Sequence, residues 1–205
     1  MSTTRDALVI ACGAIAREII AVIRANRWDH IDVECLPSDL HNRPQQIPEA
    51  VRAKIQAARV RYSKIFVAYA DCGTGGLLDS VLTEEGVERL PGAHCYECFA
   101  GARAFAELTT EEPGTFYLTD FLAQHFERLI LRGLGIDRHP ELAQMYFANY
   151  RRLVYLAQTR NSARLAQARA AAERLGLRFE HRYTGYGDLA RSLATWSRVV
   201  PAWQS

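Results

Sequence analysis

No apolar run in the 205-residue sequence approaches the ~20 residues that a membrane-spanning helix needs. No excess of one charge appears either: the formal net charge is +2, too little to argue for nucleic acid or an anionic membrane surface as a partner. The N-terminal stretch MSTTRDALVI has no basic region followed by a long apolar segment, so no secretory signal is expected and a cytoplasmic location follows. No linker rich in Pro, Gly or Ser divides the chain, and no low-complexity segment interrupts it. There is no paired CxxC motif of a structural zinc site, no GxGxxG and no Walker loop. The five cysteines are odd in number, and in a reducing compartment they are expected as thiols, metal ligands or a nucleophile rather than disulfides.

What is present is an alternation of short apolar runs with helical patterns. ALVIACG (7–13), IDVECLP (31–37), KIFVAYADCG (64–73), LVYLAQT (153–159) and LRFEHRYTG (177–185) read as strands, and AHCYECF (93–99) as a strand or a strand-to-helix corner. EEPGTFYLTDF (111–121) adds a turn and an extended segment. Helical spacing covers 14–27, with Ile15, Ile19, Ile20 and Ile23 on one face, and 47–60, where Pro48 is tolerated in the first turn. Further helices are expected at 77–86, across the middle of the chain, and over 161–176, capped by Asn161 or Ser162 and ended by Gly176. A last short one covers DLARSLATW. Strands alternating with helices imply βαβ units. The expected fold is α/β and Rossmann-like: one two-lobed unit with mostly parallel sheets flanked by helices, lobes at 1–120 and 153–205, and a helical insertion at 121–152.

Two stretches echo one another. VIACGAI and YADCGTG both place Cys-Gly after a buried strand and before a helix. The carboxyl ends of parallel strands share one edge, where ligands bind, so Cys12 and Cys72 are expected there together. Glycine after each lets the chain turn sharply, and a nearby helix N-terminus favours the thiolate. HCYEC adds His94, Cys95 and Cys98; His94 and Cys98 share a face in either a strand or a helix. Cys12, Cys72, His94, Cys95 and Cys98 thus offer soft ligands for Zn²⁺, or for an iron–sulfur cluster. The competing reading is that small cysteines merely fill strand ends. Cys35, within a strand, is expected in the core.

His41, in the loop after the second strand, is a fourth ligand, a general base or a surface histidine. Asp71 orients a ligand, acts as a catalytic carboxylate or stabilises its turn, and Glu97 is a candidate acid/base. The loop CGTGGLL, with Gly73 and Gly75, is a possible phosphate cradle. Asp120, near Tyr117 and Thr119, lines a crevice or caps the following helix. Arg103 either holds an anionic substrate or is solvated, as the basic face of 161–176 is expected to be.

The segments ACG, LHNRP, YADCGTGG, HCYECFAG and EEPGTFYLTDF, with a C-terminal Trp followed by VVP, resemble the domain-of-unknown-function family 1638 over roughly residues 7–201. That resemblance implies a bacterial or archaeal protein linked by association with corrinoid-dependent methyl transfer. It carries Cys12, His41, Cys72, His94 and Cys95 over as site residues. Three functions follow as expectations. One is a zinc protein of one-carbon metabolism, acting on a small-molecule substrate. A second is an iron–sulfur or corrinoid-handling accessory that serves a methyltransferase component. The third is a metal-free enzyme with Cys12 and Cys72 as acid/base thiols on opposite lobes. Trp196 and Trp203 are expected to be exposed, where they and the basic helix offer a partner surface or a homo-oligomer contact.

Overall fold

The computed structural model describes residues 6–198. Two compact units divide them: residues 6–98 with 187–198, and residues 99–186. The sheets of both are parallel and flanked by helices, the α/β, Rossmann-like class expected from the alternation of strands and helices.

In the first unit, β1 (Ala7–Cys12) lies between β2 (Ile31–Leu36) and β3 (Lys64–Ala68), with the two-residue β4 (Glu88–Arg89) at the far edge. A strand paired on both sides and covered on both faces must be apolar throughout. ALVIAC is, and all six residues are buried. Edge strand β2 is only partly covered, and this overturns the expectation for Cys35, which is exposed. Helix α1 (Ala16–Ala25) buries Ile19, Val22 and Ile23, and α2 (Ile47–Ala58) carries Pro48 in its first turn, where no amide is needed. The later helices of this unit are α3 (Leu77–Glu85), the start of α4 (Cys95–Ala100) and the closing helix, which is numbered last. HCYEC is therefore the corner of a helix and not a strand.

In the second unit, after α5 (Ala102–Glu111), come β5 (Thr115–Leu118), α6 (Asp120–Gln124), a π-helical turn at Glu127–Arg132 and α7 (Glu141–Phe147). Then follow β6 (Arg152–Ala157), α8 (Ser162–Leu175) and β7 (Arg178–Tyr183). Strand β6 is central and wholly buried. Alanines 168, 171 and 172 let α8 approach the core closely. Asn161 caps α8 by accepting from the Arg164 amide at 3.0 Å, and Gly176 ends it with φ +68°. Arg152, just ahead of the apolar run, is buried at the start of β6. Its guanidinium donates to Thr115, Glu111, Glu180 and the Leu108 carbonyl, so every face of the charge is met.

The chain divides after residue 98 rather than near 120, and α9 (Gly187–Arg198) belongs to the first unit. Its Trp196 is buried, with its ring 5.2 Å from that of Phe66; Lys64 donates to its carbonyl at 3.1 Å. The expectation of an exposed Trp196 is corrected by this packing. Trp203 lies outside the described residues.

Candidate functional site

Three chain segments of the first unit converge at the carboxyl ends of β1 and β3. Strand β1 ends at Cys12, and the amide of Gly13 donates to the Leu36 carbonyl at 3.0 Å. A Cβ on Gly13 would lie 3.1 Å from that oxygen, so glycine keeps the two strand ends together. The Cys12 sulfur accepts from the Ala14 amide at 3.4 Å. After β2, a 3₁₀ turn at Ser38–Asn42 brings His41 back, with Nδ1 3.6 Å from Cys12 Sγ.

The turn after β3 has left-handed backbone at four of five positions: Cys72 (φ 51°), Gly73 (84°), Gly75 (63°) and Gly76 (85°). Glycine adopts this conformation freely, whereas cysteine is held in it at a cost of about 1–2 kcal/mol. The Asp71 carboxylate organises the turn. It accepts from the Thr74 hydroxyl at 2.6 Å and from the amides of Gly75 and Gly76 at 3.2 and 2.9 Å. Those bonds, the Thr74 hydroxyl foremost, hold its pKa below the usual carboxylate range. The amides that would have cradled a phosphate are thus given to Asp71. Gly73 and Gly75 serve the backbone path, and Asp71 braces the turn.

A second loop is tied to this turn. The amides of Asp71 and Cys72 donate to the carbonyls of Gly92 and Ala93 at 3.1 and 2.8 Å. Glu97, in the first turn of α4, accepts from the Ala93 amide at 3.0 Å, while its own amide donates to the His94 carbonyl. Its carboxylate therefore fixes the loop that delivers Cys95. Gly92 has φ +96°, and a Cβ there would sit 2.6 Å from Glu97 Oε2. Gly92→Ala is expected to destabilise the protein by roughly 2–3 kcal/mol, read by thermal denaturation, because backbone strain and a lost brace act together.

Cys12, Cys72 and Cys95 are buried, and His41 is half-buried. Cys72 is brought down to about 5, first by the Cys95 thiol donating to it and then by His41, with burial opposing both. His41 is desolvated, which opposes its charge, yet the sulfurs of Cys12 and Cys72 raise it to about 10. Near neutrality the pair is thiolate and imidazolium. Cys95, the donor to that thiolate, is pushed well up and stays protonated. Tyr69, on the segment leading into the turn, is fully buried, and its hydroxyl makes no hydrogen bond of normal geometry among the described residues. Burial and the neighbouring Cys12 and Cys72 push its pKa up, so it is a neutral phenol facing the sulfurs.

The other two expected ligands stand apart. His94 is exposed, just ahead of α4, with its ring 6.2 Å from that of Tyr96. Cys98 is buried and donates to the Pro91 carbonyl at 3.5 Å, and burial pushes it up to about 12. The contacts run as a chain, Cys12 to His41 to Cys72 to Cys95. Among the described residues, no group of three or more His, Cys, Asp or Glu is spaced to hold a metal ion as it stands. Tyr69 carried no chemical signal of its own in the sequence; its one mark is its place three residues ahead of Cys72.

The two shifted pKa values fix a pH dependence of stability. Cys72, lowered from 9.0 to about 5, adds stability as pH rises through that interval. His41, raised from 6.5 to about 10, adds stability that is complete below 6.5 and lost toward 10. The two offset each other between about 6.5 and 9, where the thermal midpoint is expected to be flat. Stability, and the midpoint with it, should fall below 6.5 and again above 9, the stability by at most about 1.4 kcal/mol per pH unit on the acid side. The raised pKa of Cys95 steepens the alkaline fall.

Fold and site together define an α/β protein with two parallel sheets and a thiol–imidazole cluster at the strand carboxyl edge of its first unit. The chain belongs to the family described as "Protein of unknown function (DUF1638)", whose model matches residues 35–193. That match takes in His41, Cys72 and Cys95, and begins after Cys12. No curated protein and no solved structure matches the chain. Among the described residues, no helix is long and apolar enough to cross a membrane.

Proposed function

We propose that the chain is a cysteine-dependent group-transfer enzyme in which Cys72 is the nucleophile and His41 the proton donor. The observation that carries this reading is the pairing of half-buried His41 with Cys72, a cysteine held in left-handed backbone at a strand end. A sulfur lone pair of Cys72 attacks an electrophilic carbon, forming an S–C bond as the bond to the leaving group breaks. The leaving group takes the His41 proton. An acceptor then takes the carbon group from sulfur, which restores the thiolate, and the acceptor's proton returns to His41. Cys12, on the Nδ1 side of His41, orients the ring. Cys12 and Cys72 both belong to the first unit, so they do not face each other from opposite lobes. With Cys72 only 9% exposed, the site suits a small electrophile such as a one-carbon group, which agrees with the methyl-transfer setting that the family resemblance implies. The donor of that group is a small molecule or a corrinoid methyltransferase component.

A second reading has its own observation. The 3.6 Å between Cys12 Sγ and His41 Nδ1 is close to the ~3.5 Å that separates two ligands of one tetrahedral Zn²⁺. Cys12, His41, Cys72 and Cys95 would then hold the ion after small rotations of their side chains. Held by all four, the ion would be structural; with Cys95 giving up its place to a substrate, it would supply Lewis acidity. The three cysteines could instead hold an iron–sulfur cluster.

Elemental analysis and iodoacetamide mapping of anaerobically purified protein separate the readings. The thiolate reading expects Cys72 to be alkylated first near pH 6, without release of metal. Stoichiometric zinc or iron, with Cys72 protected until a chelator is added, would establish the metal reading in its place.

A further inference from the structure

The second unit has a cavity of about 240 Å³ that none of the chemistry above uses. It lies at the carboxyl ends of β6 and β7, the edge of a parallel sheet where ligands bind in α/β proteins. One wall is the stacked pair Tyr155 and His181, with centroids 5.5 Å apart and planes 23° apart. Another is Tyr183, whose ring carries the Arg160 guanidinium at 4.6 Å. Leu165 and the Ser162 hydroxyl complete the lining used here.

The charge pattern is one-sided. No Asp or Glu lines the cavity, and Arg160 makes no ion pair among the described residues. The polar groups that could have answered it are already used. The Asn161 side chain caps α8, and the Tyr155 hydroxyl donates to Asp120 at 2.6 Å. Buried Asp120 also accepts from the amides of Gln158 and Thr159, at 3.1 and 3.0 Å, and from the Thr159 hydroxyl. This carboxylate neither caps α6, whose N-cap is Thr119, nor lines the cavity. It locks the loop after β6 and the Tyr155 ring from behind, so the walls are set before any ligand arrives.

We infer that this cavity binds a small planar anion, an aromatic or conjugated ring bearing a phosphate or carboxylate. The ring lies against Tyr155, His181 and Tyr183, and the oxyanion pairs with Arg160. The volume equals that of roughly eight waters, which fits a ligand body of about ten heavy atoms. The site is independent of the cysteine chemistry, so either can fail without the other.

Titration of the isotope-labelled full chain with phenyl phosphate, benzoate, benzamide and inorganic phosphate tests it by NMR. Phenyl phosphate or benzoate should bind with Kd below about 1 mM and shift resonances of residues 155–183. The stronger of the two identifies the oxyanion. Benzamide and inorganic phosphate, each lacking one half of the recognition, should bind at least about tenfold more weakly. Arg160→Ala should weaken the aromatic anion about tenfold, and Arg160→Lys should recover part of that. Cys72 alkylation should be unchanged in both variants. Absence of binding at about 10 mM would overturn the inference. So would equal binding of benzamide, or shifts unaffected by Arg160→Ala.

Discussion

Cys72→Ser is expected to remove the fast phase of iodoacetamide labelling near pH 6 and to abolish group transfer, with the fold retained. The size of the labelling effect follows from two opposed terms. A thiol that titrates near 5 is about 90% thiolate at pH 6, against about 0.1% for one at 9, nearly a thousandfold gain. Lower basicity takes back roughly sixtyfold, because nucleophilicity falls with pKa at a slope near 0.45. The net advantage over an ordinary thiol is therefore only about tenfold near pH 6, and it vanishes by about pH 7. The remaining thiols cannot fill in. Cys12 is only 2% exposed, Cys95 and Cys98 are held protonated, and exposed Cys35 is itself raised, chiefly by partial burial. What survives in the variant should be slow and should rise toward alkaline pH. Loss of group transfer should be complete, because a serine hydroxyl stays protonated where the thiol ionises.

His41→Ala is expected to act on two quantities at once. Removing a cation beside Cys72 raises the thiol pKa by about 1–3 units. The shift stops short of the ordinary value, because the Cys95 thiol still donates to the sulfur. Labelling near pH 6 should drop, and its midpoint should move up. Group transfer should fall further, by about 10²–10⁴, because the proton donor is lost as well. His41→Lys separates the two roles. It restores the positive charge, and with it much of the low thiol pKa, but once Cys72 is alkylated an imidazole falls back toward about 6.5 and releases its proton, whereas an ammonium near about 10.4 keeps it. Thiolate recovered without turnover would place His41 in proton transfer. Recovery of both would leave it only the role of a charge.

Much of this arrangement was legible in the sequence, and the parts that were not have physical causes. Strand ends at Cys12 and Cys72 follow from apolar runs stopped by glycine, and parallel topology puts both on one edge. His41 follows from the same topology as a loop residue beyond β2. The failures concern side-chain direction and distant packing. Spacing placed His94 with Cys98, but α4 starts at Cys95, which leaves His94 outside the first turn and exposed. Of the readings open for Asp71, the turn-stabilising one is what the structure shows, its carboxylate bonded within its own turn. Cys35 sits in a strand as expected, but that strand is an edge. Trp196 gave no local sign of burial, because Phe66, which it packs against, is 130 residues away in the chain.

The pH dependence of Cys72 labelling, followed on its own peptide by mass spectrometry in the unmodified protein, tests the central claim most directly. A thiolate paired with His41 and bonded by Cys95 predicts a midpoint near 5 and a flat rate from about pH 6 to 8. A rate that climbs steadily to a midpoint near 9 would contradict it.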